Sequence, residues 1–166
     1  YEITPTDNSD IMYLFNDITA DQWRISQVGG ASFIGVAFLG SRLVFPSGIA
    51  QNYSSIPHAK VVEVQGGQTI SGQFVNQSVM RYGFRTSATF PLIDSEWVDS
   101  DMSDFEAHYN DGLPFVWAAA PKQFPDDYGY CWRPANSSEL KPTYNNGGLY
   151  EEFTIQLQGF VNARTV

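Results

Sequence analysis

The stretch from Trp23 to Phe45 constrains the fold of this chain more than any other. Trp23 and Ile25 alternate with Arg24 and Ser26, the period-two pattern of a half-buried strand. Gly29-Gly30 follows, a two-residue loop of the kind that favours the primed turns of hairpins. Residues 32–39 are apolar on both faces, as in a central strand, with Gly35 marking a bulge or a close contact. Gly40-Ser41 then turns the chain into a third short strand that ends at Phe45. This punctuation predicts antiparallel β structure.

The remaining sequence extends that expectation. Residues 1–10 read as a polar loop, and residues 11–15 as a short apolar run. The first fifteen residues resemble the middle of a domain, and the chain opens at Tyr1 rather than Met, which predicts a piece of a longer protein. Residues 48–59 read as a long connection. Residues 61–64 predict a strand, Gly66-Gly67 a turn, and residues 68–74 a second strand completing a hairpin. Between Arg81 and Phe90 alternation is cleanest: Tyr82, Phe84, Ala88 and Phe90 share one face, and Arg81, Arg85, Ser87 and Thr89 the other.

After Pro91 the period changes. Val98, Met102, Phe105 and Tyr109 fall at i, i+4, i+7 and i+11, one face of a helix over about residues 95–110. Asp94 or Ser95 suits its N-cap, and Asn110-Asp111-Gly112 a left-handed stop. Strands are predicted over 115–119, 128–133 and 151–159, with a long polar loop over 134–148. The expected fold class is mainly β, an antiparallel β-sandwich with one α-helix. Two domains are expected: residues 1–45, and residues 46–166, a β domain bearing the helix.

Composition excludes several function classes. The net charge is −9, which opposes nucleic-acid binding and attraction to anionic membranes. No apolar run approaches the ~20 residues of a membrane-spanning helix, and no signal-peptide pattern opens the sequence. Cys131 is the one cysteine, so an internal disulfide is impossible, which points to a reducing compartment or a fold that needs none. Aromatics make up 15% of the chain and suit pleated, half-buried surfaces.

No convincing catalytic constellation emerges. Asp94, Glu96, Asp99, Asp101, Asp104 and Glu106 crowd the helix. Read sharply, they offer a calcium site or a carboxylate pair for glycoside hydrolysis, but they lack the glycine-centred spacing of a calcium loop, so dipole matching and a solvated face are the simpler account. Asp126-Asp127 reads as turn chemistry before a metal contact. His58, His108 and Cys131 do not form a zinc pattern. No Gly-x-Ser-x-Gly elbow is present, and Gly29-Gly30, Gly66-Gly67 and Gly147-Gly148 are isolated pairs at expected turns rather than a phosphate loop. Cys131, between Tyr130 and Trp132, reads as a small buried hydrophobe. No catalytic, cofactor-binding or metal-binding residue, and no cofactor, is assigned.

The order of segments from Trp23 onward resembles tail proteins of tailed bacteriophages. The resemblance is carried by residues 32–39 with the following Gly-Ser-Arg and apolar run, Gly72-Gln73-Phe74, the helix with Trp97 and Phe105, residues 114–117, Phe124-Pro125-Asp126, Trp132, and the last alternating strand to Gly159-Phe160. It departs from that pattern over residues 49–60. The resemblance implies that residues 1–45 are the closing part of a galactose-binding-like, jelly-roll-like sandwich, and that the chain is a non-enzymatic component of a tail tip or baseplate, similar to distal-tail proteins. Such a component is located in the virion after assembly in the host cytoplasm, and its partners are other tail proteins and copies of itself in a ring. The alternative is a β-sandwich module that binds glycans on a host surface through exposed aromatics. An enzyme using the helix carboxylates ranks third.

Overall fold

In a computed structural model the described residues are 11–160, apart from 17, 20, 21, 23, 27–36, 51 and 146–149. The chain divides into two units, Tyr1–Val44 and Phe45–Val166. In the first, the described residues carry no helix or strand, and the rings of Tyr13 and Phe15 stack at 6.4 Å. The hairpin expected around Gly29-Gly30 lies outside the described residues. The third strand expected up to Phe45 does not form: residues 41–45 are irregular. Phe45 instead lays its ring on Phe90, centroids 4.3 Å apart, and also meets Trp97, Trp117 and Phe153. Aromatic packing holds Phe45 in place of a strand ladder.

The second unit is mainly β, as the alternating segments predict. Among the described residues, six strands build one antiparallel sheet: β1 (Lys60–Gln68), β2 (Phe74–Asp94), β3 (Phe115–Ala118), β4 (Tyr128–Trp132), β5 (Thr143–Asn145) and β6 (Tyr150–Phe160). Their order is β1-β2-β6-β4-β3, with β5 also on β6. Cross-strand partners share a face. Phe84, Ala88 and Phe90 therefore lie with Ile155, Leu157 and Phe153, and all six are buried. Phe115, Trp117 and Cys131 extend the same face across β3 and β4. The opposite face carries Arg85, Ser87 and Thr154, which are exposed, and Thr89, which is half-buried. This is the polar-out pattern of an antiparallel sheet covered on one side.

The covering layer, which completes the sandwich-like packing, comes from the helical segment and the loops. The helix forms over 95–110 as its period predicts, with a finer structure that the period does not reveal. An α turn, Ser95–Trp97, leads into a π turn, Val98–Met102, and then an α helix, Ser103–Asn110. Asp94 is the N-cap, accepting a 2.9 Å bond from Glu96 N. Gly112, at φ +73°, ends the segment in the left-handed region that glycine enters at least cost. Val98, Met102 and Tyr109 are buried against the sheet, and Phe105 meets Phe115 edge-on at 5.2 Å.

Two loop expectations are corrected. Gly66-Gly67 is not a turn. β1 runs through it, and the reversal falls at residues 69–73, where Thr69 Oγ1 accepts from Gln73 N at 3.0 Å and Gly72 sits at φ +82°. The Thr69 side chain supplies a stronger local reversal than a flat glycine pair. Residues 134–148 are not wholly loop, because Thr143–Asn145 joins β6 as β5. Its three polar residues have no period of their own, and the partner strand imposes the extended form. The pair Gly147-Gly148 lies outside the described residues. The connection over 48–59 holds a 3₁₀ turn, Ile56–His58, and runs beside β2, with Ala50 N donating to Thr89 O and Arg85 N to Ala59 O.

Candidate functional site

The feature that stands apart from the core is the distal part of the β1–β2 hairpin. Every residue of β1 is exposed, and so are the first nine residues of β2. On β2 burial begins near Gly83 and alternates from Phe84 inward, while the strand reaches outward for nine more residues. The hairpin is thus an arm that leaves the core at the Lys60–Phe84 pair.

The arm has unlike faces. Register places Val62 opposite Tyr82, Val64 opposite Val79, and Gln68 opposite Phe74. These residues share the face that carries Phe84 in the core, so the apolar face of the sheet continues past the core as far as Val64 and Val79, and Gly66 opposite Gln77 then separates it from Phe74. The other face holds Glu63 opposite Arg81 and Gln65 opposite Ser78. Glu63 and Arg81 pair through two contacts of 2.6 Å, and the guanidinium holds the Glu63 carboxyl below its usual range. Register shifts leave Met80 and Val75 as extra residues in β2. Ile70, at the tip, is fully exposed.

At the base of the arm a groove of about 110 Å³ opens on the polar face between Arg81, Arg85, Trp132, Gln158 and Phe160. Trp132 and Phe160 sit with centroids 5.2 Å apart, and Arg85 Nη2 donates to Gln158 Oε1 at 3.2 Å. Glycine makes this junction possible. A Cβ on Gly159 would overlap the Phe84 ring and the Tyr130 carbonyl, and one on Gly83 would approach Gly159 O to 2.8 Å. The glycines let Phe84 bury itself where arm and core meet.

Most candidate chemical residues are placed apart from one another or in structural roles; Asp99 and Glu106 are the exception, both lying near enough to Glu151 for their charges to act on it. Asp94, Glu96, Asp99, Asp101 and Asp104 are exposed along the helical segment. Glu106 is half-buried. Glu151, on β6, is only 4% exposed, and its carboxyl is pushed up by burial and by the charges of Asp99 and Glu106. Among the described residues no group of three or more His, Cys, Asp or Glu is placed to hold a metal ion. His108 Nε2 lies 2.9 Å from Pro114 O and ties the helix end to the start of β3. His58 is exposed in the 3₁₀ turn. Cys131 is buried in the sheet, burial raises its thiol pKa, and its Sγ lies 3.6 Å from Phe115 O.

Asp127 departs from the simple turn reading. Asp127 N does close a turn to Phe124 O, but its side chain is 5% exposed and reaches across the sequence. It accepts from Ile56 N at 2.8 Å and from Tyr53 OH at 3.4 Å, while Tyr53 in turn accepts from Trp117 Nε1 at 3.1 Å. Burial, foremost, pushes the Tyr53 phenol up to about 12. This network pins the 53–56 segment to β3 and β4. The sequence holds no signal for it, since Asp127 lies 71 residues from Ile56.

The arm was also missed as a site, although residues 61–64 read as a strand and alternation over residues 81–90 marks the strand that continues into it. Alternation reports two faces and is silent on whether the apolar one is covered. No known protein family, characterised protein or solved structure matches the chain.

Proposed function

We propose that this chain is a structural component of a bacteriophage tail tip or baseplate, working by assembly with other virion proteins and with copies of itself. The observation that carries the reading is the arm. Its strands expose Val62, Val64, Val79, Tyr82 and Phe74 on one face, with Ile70 at the tip. Monomers rarely display contiguous apolar surface of this extent, and such surface marks sites that are covered in an assembly. The segment order from Trp23 onward supports the placement in a tail. The test is size in solution followed by electron microscopy. Assemblies with a regular outline support the reading, and a monomer that neither self-associates nor joins tail proteins refutes it.

A second reading, a glycan-binding module, rests on the groove with Trp132 and Phe160. Aromatic rings beside a guanidinium suit a sugar bearing a carboxylate. Trp132→Ala should abolish binding to immobilised acidic glycans. Absence of binding by the unaltered protein removes this reading.

A further inference from the structure

We infer that the apolar face of the β1–β2 arm docks on the same face of a second copy of this chain, the two arms packing face to face about a two-fold axis. The inference deepens the assembly reading and rests on it.

Three observations select a second copy. The first is area. With every exposed atom covered, Val62, Val64, Phe74, Val79 and Tyr82 contribute roughly 450 Å² per copy, or roughly 900 Å² for a pair, and Gly66, Gln68 and Gln77 on the same face bring the contact to the ~1,000 Å² lower bound of a specific interface. Ile70 and the bulged residues Val75 and Met80, all exposed, add to this margin.

The second is charge. Beyond Lys60 the apolar face carries no acid or base, because Glu63 and Arg81 occupy the opposite face and pair there. Two copies can press these faces together without burying an ion, and the only polar side-chain groups to be accommodated are the amides of Gln68 and Gln77 and the Tyr82 hydroxyl. A strongly charged partner would find nothing on this face to pair with.

The third is geometry. A face made of cross-strand pairs on a two-stranded ribbon is self-complementary when rotated by a half-turn, and two such ribbons stack about 10 Å apart as sheets do in a sandwich. Edge-to-edge extension is the less suitable contact, because the register shifts at Met80 and Val75 interrupt the even ladder that a new strand would need.

The experiment is sedimentation of the full chain over a wide concentration series, alongside Val64→Asp, Val79→Asp and, on the polar face, Ser78→Asp. Circular dichroism checks that each variant is folded. The unaltered chain and Ser78→Asp should dimerise alike, and each valine substitution should weaken the dimer about tenfold or more. In a second measurement, a short bis-maleimide that spans the ~10 Å between stacked sheets should link Val64→Cys to its copy, while Ser78→Cys should not be linked. Assemblies that survive both valine substitutions overturn the arm contact and leave the assembly reading intact. A monomer that still joins other tail proteins also overturns the arm contact alone. A monomer that joins nothing overturns both.

Discussion

At the scale of single residues, Tyr109 shows how one side chain replaces missing backbone. β6 pairs with β5 up to Glu152 and with β4 from Gln158, leaving a gap between them on that edge. The Tyr109 hydroxyl fills the gap, donating to Gln156 O and accepting from Gln156 N, both at 3.0 Å. Tyr109→Phe would strand both backbone groups at a part-buried site, and the expected cost is about 1–3 kcal/mol. Denaturant titration should show the midpoint falling with the slope unchanged. Glu151 makes the opposite case. Burial, then the nearby Asp99 and Glu106, raise its carboxyl pKa in the folded state. A raised carboxyl favours the protonated form, so its contribution to stability is full below the ordinary carboxylate range and is lost as pH rises through the raised value. Glu151→Gln should therefore raise the melting temperature at pH 7 relative to the unaltered protein, and this gain should vanish by about pH 4. Thermal melts of both proteins at the two pH values measure the difference directly.

At the scale of elements, legibility followed the range of the interaction. The helix could be read because Val98, Met102, Phe105 and Tyr109 repeat within one segment, and Asp94 and Gly112 punctuate it locally. Strands β2, β3, β4 and β6 were legible for the same reason. The π turn at Val98–Met102 was not, since one extra residue per turn barely disturbs so short a period. The turn at residues 69–73 lost out to Gly66-Gly67 because a glycine pair is the louder signal, although Thr69 makes the bonds that close the reversal. Asp127 and the uncovered face of the arm depend on what lies across space, and no local pattern reports that. The arm yields a further prediction. Its side chains are exposed from Val61 to Tyr82, so they add little to the core. Replacing residues 63–81 by Asn-Gly keeps the Val62–Tyr82 pair and closes a two-residue hairpin. The shortened chain should melt within a few degrees of the full one, a shift of about 1 kcal/mol or less in stability, while losing self-association. A collapse of cooperative melting would instead make the arm part of the folding core.

At the scale of the whole molecule, charge and apolar surface oppose each other. Eighteen acidic and nine basic residues give a net charge of −9, and the helical segment concentrates acids while the arm face that is proposed to dock carries none. Bringing two such molecules together costs Coulomb repulsion between like-charged bodies, whereas the contact itself is apolar and gains nothing from ion pairing. Salt screens the first term and leaves the second nearly untouched, because the Debye length falls from about 10 Å at 0.1 M to about 3 Å at 1 M. Association should therefore tighten as sodium chloride rises, the reverse of an interface built on salt bridges. The same balance predicts that Glu96→Gln and Asp104→Asn, both exposed and outside the arm, strengthen association modestly at low salt and have no effect at high salt. Sedimentation equilibrium at low and high salt reads both trends. Weaker association in high salt would mean that charged groups carry the contact, and would move the interface from the apolar face of the arm to the ion-paired one.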